Sequence, residues 1–375
     1  MLPRNICAAE NSEGEIMADL KEGYMPDAVL FQLLPYLPAR AVLRVRAVSK
    51  QWLDMVDEVI RRQSVQLDWS SVGTAAVVAE PVDNTVLHCA FSPDGGTLVT
   101  MVLDRSLGFK ALAKVWRTSD WSQVAVLCGH TDIAASCAFS PDGALLATVC
   151  NDGAARVWSA ATWRPLATLA GHERAARTCA FSPDGRWLVT GSLDTTVRVW
   201  STEDWGCFKV LVGHAEGLRG CCFSPDGALL ITTSNDGSVF VWECEGWTRA
   251  AQLAGHAGLV HTAAFSPDGA RAVTVSNDKT AKVWSTTDWG LETTLVGHTN
   301  GVQHCAFSPD GDKLVTSSWD KTAIVWETSN WSNVQVLSGH GNYVFCSAFA
   351  PNGCSLVTAS SDGKVRVWSD SSNNE

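Results

Sequence analysis

Between residues 177 and 200 the chain alternates apolar and polar positions in short bursts. Arg177 to Phe181 is followed by Pro183-Asp184-Gly185, then by Trp187 to Ser192, by Asp194-Thr195-Thr196, and by Val197 to Trp200. Apolar residues recur inside each burst with the two-residue spacing of a half-buried strand, and no helical stretch lies between them. Pro fixes φ and Gly accepts φ > 0, so Pro-Asp-Gly predicts a tight turn. The pattern then repeats. Phe-Ser-Pro-Asp-Gly begins at Phe91, Phe139, Phe181, Phe223, Phe265 and Phe307, and Phe-Ala-Pro-Asn-Gly at Phe349, with every interval from Phe139 onward equal to 42 residues. Gly-His recurs in step at His130, His172, His214, His256, His298 and His340, and Val-Trp from Trp116 to Trp368. A second Trp follows five residues after each of the first six, from Trp121 to Trp331. Seven units of four short strands predict a radial array of small antiparallel sheets.

These units resemble WD repeats, and the resemblance covers roughly residues 65–369. It implies a mainly β fold, a seven-bladed β-propeller. It also implies a buried hydrogen-bonded set of four, which maps onto His172, Thr190, Asp194 and Trp200 and holds in five other units, for example His298, Thr316, Asp320 and Trp326. Imidazole, hydroxyl and carboxylate can satisfy one another, and the indole N–H can only donate. Ser usually follows the Trp where the family has Asp, which leaves the four intact.

The last unit stops soon after Trp368 and lacks a fourth strand, while Asp68-Trp69 and Val72 to Glu80 lie upstream of the first. The expected arrangement is a strand near 71–80 completing the last blade, so that no sheet edge is left unpaired. Unit one is irregular: Val82 stands in place of the His, and six extra residues lie between Asp104 and Trp116.

Residues 25–63 differ in kind. Pro26 opens a helix at its favoured first position, with Val29, Leu30, Leu33, Leu34 and Leu37 at helical spacing. Pro35 and Pro38 end it; Ala39 to Ala47 suits a second helix, and Ser49 caps a third carrying Trp52, Val56, Val59 and Ile60. About 40 residues cannot bury that apolar surface alone. The stretch resembles an F-box in Met25-Pro26, Val29 to Leu37, Leu43 and Val48-Ser49-Lys50-Gln51-Trp52, with Met25 and Ser49 departing from the commonest residues. The resemblance implies docking to the adaptor of a cullin-RING (SCF-type) ubiquitin ligase through Pro26, Leu30, Leu33, Leu34, Leu37, Leu43, Val48 and Trp52. Through the adaptor it implies a cullin, with the propeller binding the target. A helical cap on a non-ligase scaffold is the competing reading. The short stretch from Ile60 to Trp69 predicts a rigid mounting. The expected division is an acidic N-terminus at 1–24, the three-helix F-box-like module at 25–63, the propeller at 64–370 and a tail at 371–375.

Composition narrows the class further. The net charge of -11 argues against a nucleic-acid binder, which needs a basic face to displace counterions. No apolar run approaches the ~20 residues of a membrane-spanning helix. Five acids among the first 24 residues fit neither a signal peptide nor a mitochondrial presequence, so a reducing compartment, cytoplasmic or nuclear, is expected. Cys89, Cys137, Cys179, Cys221 and Cys305 share one strand position, and no Cys-x-x-Cys spacing suggests zinc. Glycines belong to turns rather than to a phosphate loop. Repeated His/Asp pairs suggest structure rather than a single active site, so no catalytic residue, cofactor or metal is expected.

Recognition is expected where near-identical units differ. Four residues before each Phe the series from unit two reads Ala135, Arg177, Arg219, His261, Gln303, Phe345. Just before each Asp it reads Asn151, Leu193, Asn235, Asn277, Trp319, Ser361. Two sectors follow: Arg177 and Arg219 with His261 beside them, and Trp319, Tyr343 and Phe345 beside the unit-one insertion with Arg105 and Phe109. The expected ligand is a peptide-like protein segment anchored by these aromatics, with an acidic or phosphorylated group near the arginines; scattered surface variation is the competing reading. Of the 17 tryptophans, Trp319 alone falls where a partner would touch it.

Overall fold

The computed structural model describes residues 72–79, 84–104 and 110–370. These contain twenty-eight strands numbered in chain order, from β1 (Val72–Ala79) to β28 (Lys364–Asp370), arranged as seven four-stranded sheets. The third sheet is representative: β10 (Ala176–Phe181), β11 (Trp187–Ser192), β12 (Val197–Ser201) and β13 (Cys207–Leu211) pair in sequence, all antiparallel. The first strands of the seven blades are β2 (Thr85–Phe91), β6 (Ala134–Phe139), β10, β14 (Leu218–Phe223), β18 (Val260–Phe265), β22 (Val302–Phe307) and β26 (Val344–Phe349). Each contacts the first strand of the next blade, and β26 contacts β2, so the array is a closed seven-bladed propeller. The helical module expected at 25–63, the N-terminal and C-terminal tails and the insertion residues 105–109 lie outside the described residues.

Closure uses both ends of the chain. β1 pairs antiparallel with β28, from Val72 opposite Asp370 to Ala79 opposite Lys364, as the outer strand of the seventh blade. A ring joined this way leaves no blade one strand short.

The apolar core is divided among the seams. One cluster joins Val99, Val115 and Leu127 of the first blade to Cys137, Leu146 and Trp158 of the second, and an equivalent cluster fills every seam round the ring. The Pro-Asp-Gly turns interlock as well. Gly143, at φ 71°, lies where an added Cβ would be 3.5 Å from Pro93 of the preceding blade, and Gly95 faces Pro351 across the closure. A side chain there would meet both the neighbouring proline and a left-handed backbone.

Six tryptophans adopt the same uncommon backbone. Trp121, Trp163, Trp205, Trp247, Trp289 and Trp331 have φ between 54° and 60°. Each closes the turn between the third and fourth strands and lays its ring on a seam cluster. Burial of the ring opposes the left-handed cost, which is about 1–2 kcal/mol for an L-residue.

Candidate protein-binding face

The hydrogen-bonded sets of four hold the turns on one face of the ring. In the third blade His172 Nδ1 lies 2.8 Å from Asp194 Oδ2, and His172 Nε2 lies 2.8 Å from Thr190 Oγ1. Trp200 Nε1 donates to the same Thr190 oxygen at 2.9 Å. Asp194 is ionised and can only accept, so His172 donates through Nδ1 and accepts the Thr190 hydroxyl proton at Nε2. His298, Thr316, Asp320 and Trp326 repeat this geometry in the sixth blade.

Of the six blades that carry the His, two depart from it, for a visible reason. Thr196 donates to Asp194 in the third blade, but the second blade has Ala154 at the equivalent place. There the Arg156 guanidinium enters, donating to Asp152 at 2.9 Å and to His130 Nδ1 at 2.6 Å, and the His130–Asp152 separation opens to 3.9 Å. An arginine can only donate, so His130 Nδ1 accepts and Nε2 carries the proton toward Thr148, 2.7 Å away. In the fourth blade His214 Nδ1 meets Ser238 Oγ at 2.9 Å and Asp236 at 3.6 Å. Burial lowers the pKa of both His130 and His214 to about 4, and the Arg156 charge adds to the effect on His130. Burial alone would raise the Asp362 carboxyl in the seventh blade. His340 and the Gly341 N–H outweigh it and hold the group at about 2. These groups hydrogen-bond one another and hold the turns of this face in place.

The residues that vary from blade to blade are placed by a β-bulge. The pairing of the first two strands skips one residue in every blade, between Ala176 and Thr178 in the third and between Val344 and Cys346 in the seventh. The skipped residues are Leu87, Ala135, Arg177, Arg219, His261, Gln303 and Phe345. A bulge removes a residue from the ladder and re-aims its side chain. The residues that precede the Asp turns lie alongside, since Leu193 N donates to Ala175 O, Trp319 N to Gly301 O and Ser361 N to Tyr343 O.

The structure joins the two expected sectors into one arc. His261 Nε2 lies 2.7 Å from Gln303 Nε2, and its ring meets Trp319 edge-on at 5.6 Å. Trp319 lies 5.9 Å from Tyr343, and Tyr343 6.5 Å from Phe345. Tyr343 is 42% exposed, while Trp319 and Phe345 are half-buried. Burial drops the His261 pKa to about 4 against the opposing hydrogen bond with Asn277, so the imidazole is neutral, its Nε2 lying between Gln303 Nε2 and Asn277 Oδ1, 3.3 Å away. At the other end Arg219 Nε donates to Asn235 at 2.6 Å, and Arg177 Nε is buried with no hydrogen-bond partner. Burial lowers the pKa of both guanidiniums, and Arg177 repels Arg219. Trp319 Nε1 is also buried without an acceptor. The face therefore holds a cationic pair on adjacent blades, with the Asp132 charge offsetting part of that on Arg177, and a further acidic group there would relieve the repulsion on Arg219. Arg105 and Phe109 lie outside the described residues, as do the eight residues assigned to adaptor docking.

Sequence reasoning did not find a cluster in the ring interior. His88, His304 and Cys346 come from the first, sixth and seventh blades, and their ligand-capable atoms lie within 4.8 Å of one another. The signal was present three residues before each Phe, where the other units read Ser136, Thr178, Gly220 and Thr262.

Six segments of the chain match the family described as WD domain, G-beta repeat: residues 121–159, 163–201, 205–243, 247–285, 289–327 and 331–369. Each match begins in the turn before the outer strand of one blade and ends in the third strand of the next, so the sequence repeat is offset by one strand from the blade. No curated protein matches the chain.

Proposed function

The chain belongs to the WD40 family, whose propellers are protein-interaction domains, and from that premise we propose that it is the substrate-recognition subunit of a cullin-RING ubiquitin ligase. The binding half of this reading rests on one observation: the arc from the Arg177–Arg219 pair through His261 and Trp319 to Tyr343 and Phe345. The arc suits an extended protein segment that places an apolar or aromatic side chain against Trp319, Tyr343 and Phe345. An acidic or phosphorylated group of the same segment would lie between Arg177 and Arg219. Burying an aromatic anchor supplies affinity, and the charge-assisted hydrogen bonds fix its direction.

The ligase half rests on the resemblance of residues 25–63 to an F-box, directly upstream of the ring. In this reading the helical module holds the adaptor and the propeller presents the target, in the cytoplasm or nucleus. Transfer of ubiquitin belongs to other subunits. The test is co-purification. The full chain should retain the adaptor and cullin, and deleting residues 26–60 should abolish this while leaving target binding intact. Arg177→Ala with Arg219→Ala should do the converse. A chain that captures the target but never the adaptor would instead be a scaffold for assembly or signalling.

A further inference from the structure

The side chain three before the blade Phe reaches the next blade in the first, third and seventh blades, where His88 meets Cys137, Thr178 meets Cys221 and Cys346 meets Cys89. In the third blade Thr178 Oγ1 lies 3.3 Å from Cys221 Sγ and accepts the Cys221 N–H at 3.2 Å. Small or hydroxylated residues fill this place in blades two to five. In blades six, seven and one, consecutive round the ring, it holds His304, Cys346 and His88. One nitrogen or sulfur from each lies within 4.8 Å of the others, and the two imidazoles meet edge-to-face with centroids 5.8 Å apart. Cys89, beside His88 on β2, brings its Sγ to 3.6 Å from Cys346 Sγ. His304 Nδ1 is buried with no hydrogen-bond partner.

We propose that His88, His304 and Cys346 form a three-ligand zinc site, its fourth position open to water, across the seams where the propeller closes. Two imidazoles and one thiol without a carboxylate make a donor set suited to a borderline-soft cation. Cys89 Sγ lies 3.6 Å from Cys346 Sγ, beside the site rather than among its three ligands. A disulfide needs about 2.05 Å and would leave both histidines without a task. Both histidines are half-buried, which leaves an approach for the ion, while Cys346 is buried. Binding would clamp the first, sixth and seventh blades together, at the one junction where residues from the two ends of the repeat array meet. Metal binding of this kind stabilises the folded state because the unfolded chain does not present the site.

The test uses the full, tag-free chain, reduced, with Cys128→Ser and Cys207→Ser to remove two exposed thiols. Titration with cobalt(II) should give a thiolate-to-metal charge-transfer band and tetrahedral d–d bands that saturate at one ion per chain, and zinc should displace them. Cys346→Ser and, separately, His304→Gln should weaken binding by more than the about 10–100-fold lost with an outer-shell partner. Zinc should raise the thermal midpoint of the parent and not of either variant. If a variant fails to fold, the parent spectrum decides alone. Absence of a saturable charge-transfer band overturns the proposal, as does a band that survives both substitutions. A Cys89–Cys346 disulfide in protein isolated without reductant, together with no band after reduction, also overturns it.

Discussion

Thr190→Val isolates the polar contribution of one set of four. The valine keeps the branched shape of a side chain that is 0% exposed, so no cavity opens. What disappears is the oxygen that accepts Trp200 Nε1 at 2.9 Å and faces His172 Nε2 at 2.8 Å. Both partners stay buried, and each stranded group costs about 1–3 kcal/mol. The two together give about 2–6 kcal/mol, less about 0.8 kcal/mol for the extra buried methyl. The expected loss is thus several kcal/mol, against a total stability of about 5–15 kcal/mol for an ordinary domain. Urea unfolding should be followed by tryptophan emission and by far-UV circular dichroism, whose coincidence checks that the transition is cooperative. Trp200→Phe in the same background should recover part of the loss, because the stranded indole N–H is gone, and the double-mutant cycle should show coupling. A midpoint shift below about 0.5 kcal/mol, within the range of ordinary surface substitutions, would refute the reasoning.

Three further outcomes follow from the geometry. His130, His214 and His261 have folded pKa values lowered to about 4 by burial, below the ordinary 6.5, so their stabilising effect is complete above pH 6.5 and fades as pH falls toward 4. Asp362, held at about 2 against an ordinary 3.8, extends the loss from about pH 4 to about pH 2; a urea midpoint flat from pH 6.5 to 4 contradicts the first part. Trp289 has φ 59°, so Trp289→Gly should be at least as stable as Trp289→Ala despite its smaller side chain, by up to about 1–2 kcal/mol; denaturant midpoints in the ordinary Ala-over-Gly order contradict this. Nitrogen-15 spectra should show His130 protonated at Nε2 and His172 at Nδ1, and identical tautomers would show that Arg156 does not donate to His130.

The repeat was legible because its causes are local. Alternation, the Pro-Asp-Gly turn and the 42-residue period fix strands and blade number before any tertiary contact is known. The arc was half legible. Comparing units picked out Arg177, Arg219, His261, Trp319, Tyr343 and Phe345, but not the bulge that aims most of them or the Gln303–His261 contact that joins the two sectors. Blade-to-blade contacts of that kind depend on how far the ring rotates per unit, which no spacing along the chain expresses. The His88–His304–Cys346 cluster escaped for the same reason: its members are separated by up to 258 residues (346 minus 88) and meet only because the ring closes. The left-handed tryptophans were invisible, since nothing in a Trp-rich turn announces a positive φ.

The central claim is that the partner lies across the arc on the Gly-His and Asp-turn face. Hydrogen–deuterium exchange on the full chain, alone and with its bound target, tests it most directly. The account predicts protection at residues 175–178, 217–220, 259–262, 301–304 and 342–346, with the protection lost when Trp319→Ala, Arg177→Ala and Arg219→Ala are combined. Protection confined to the Pro-Asp-Gly turns on the opposite ends of the same strands, from Pro93 to Gly311, would contradict it.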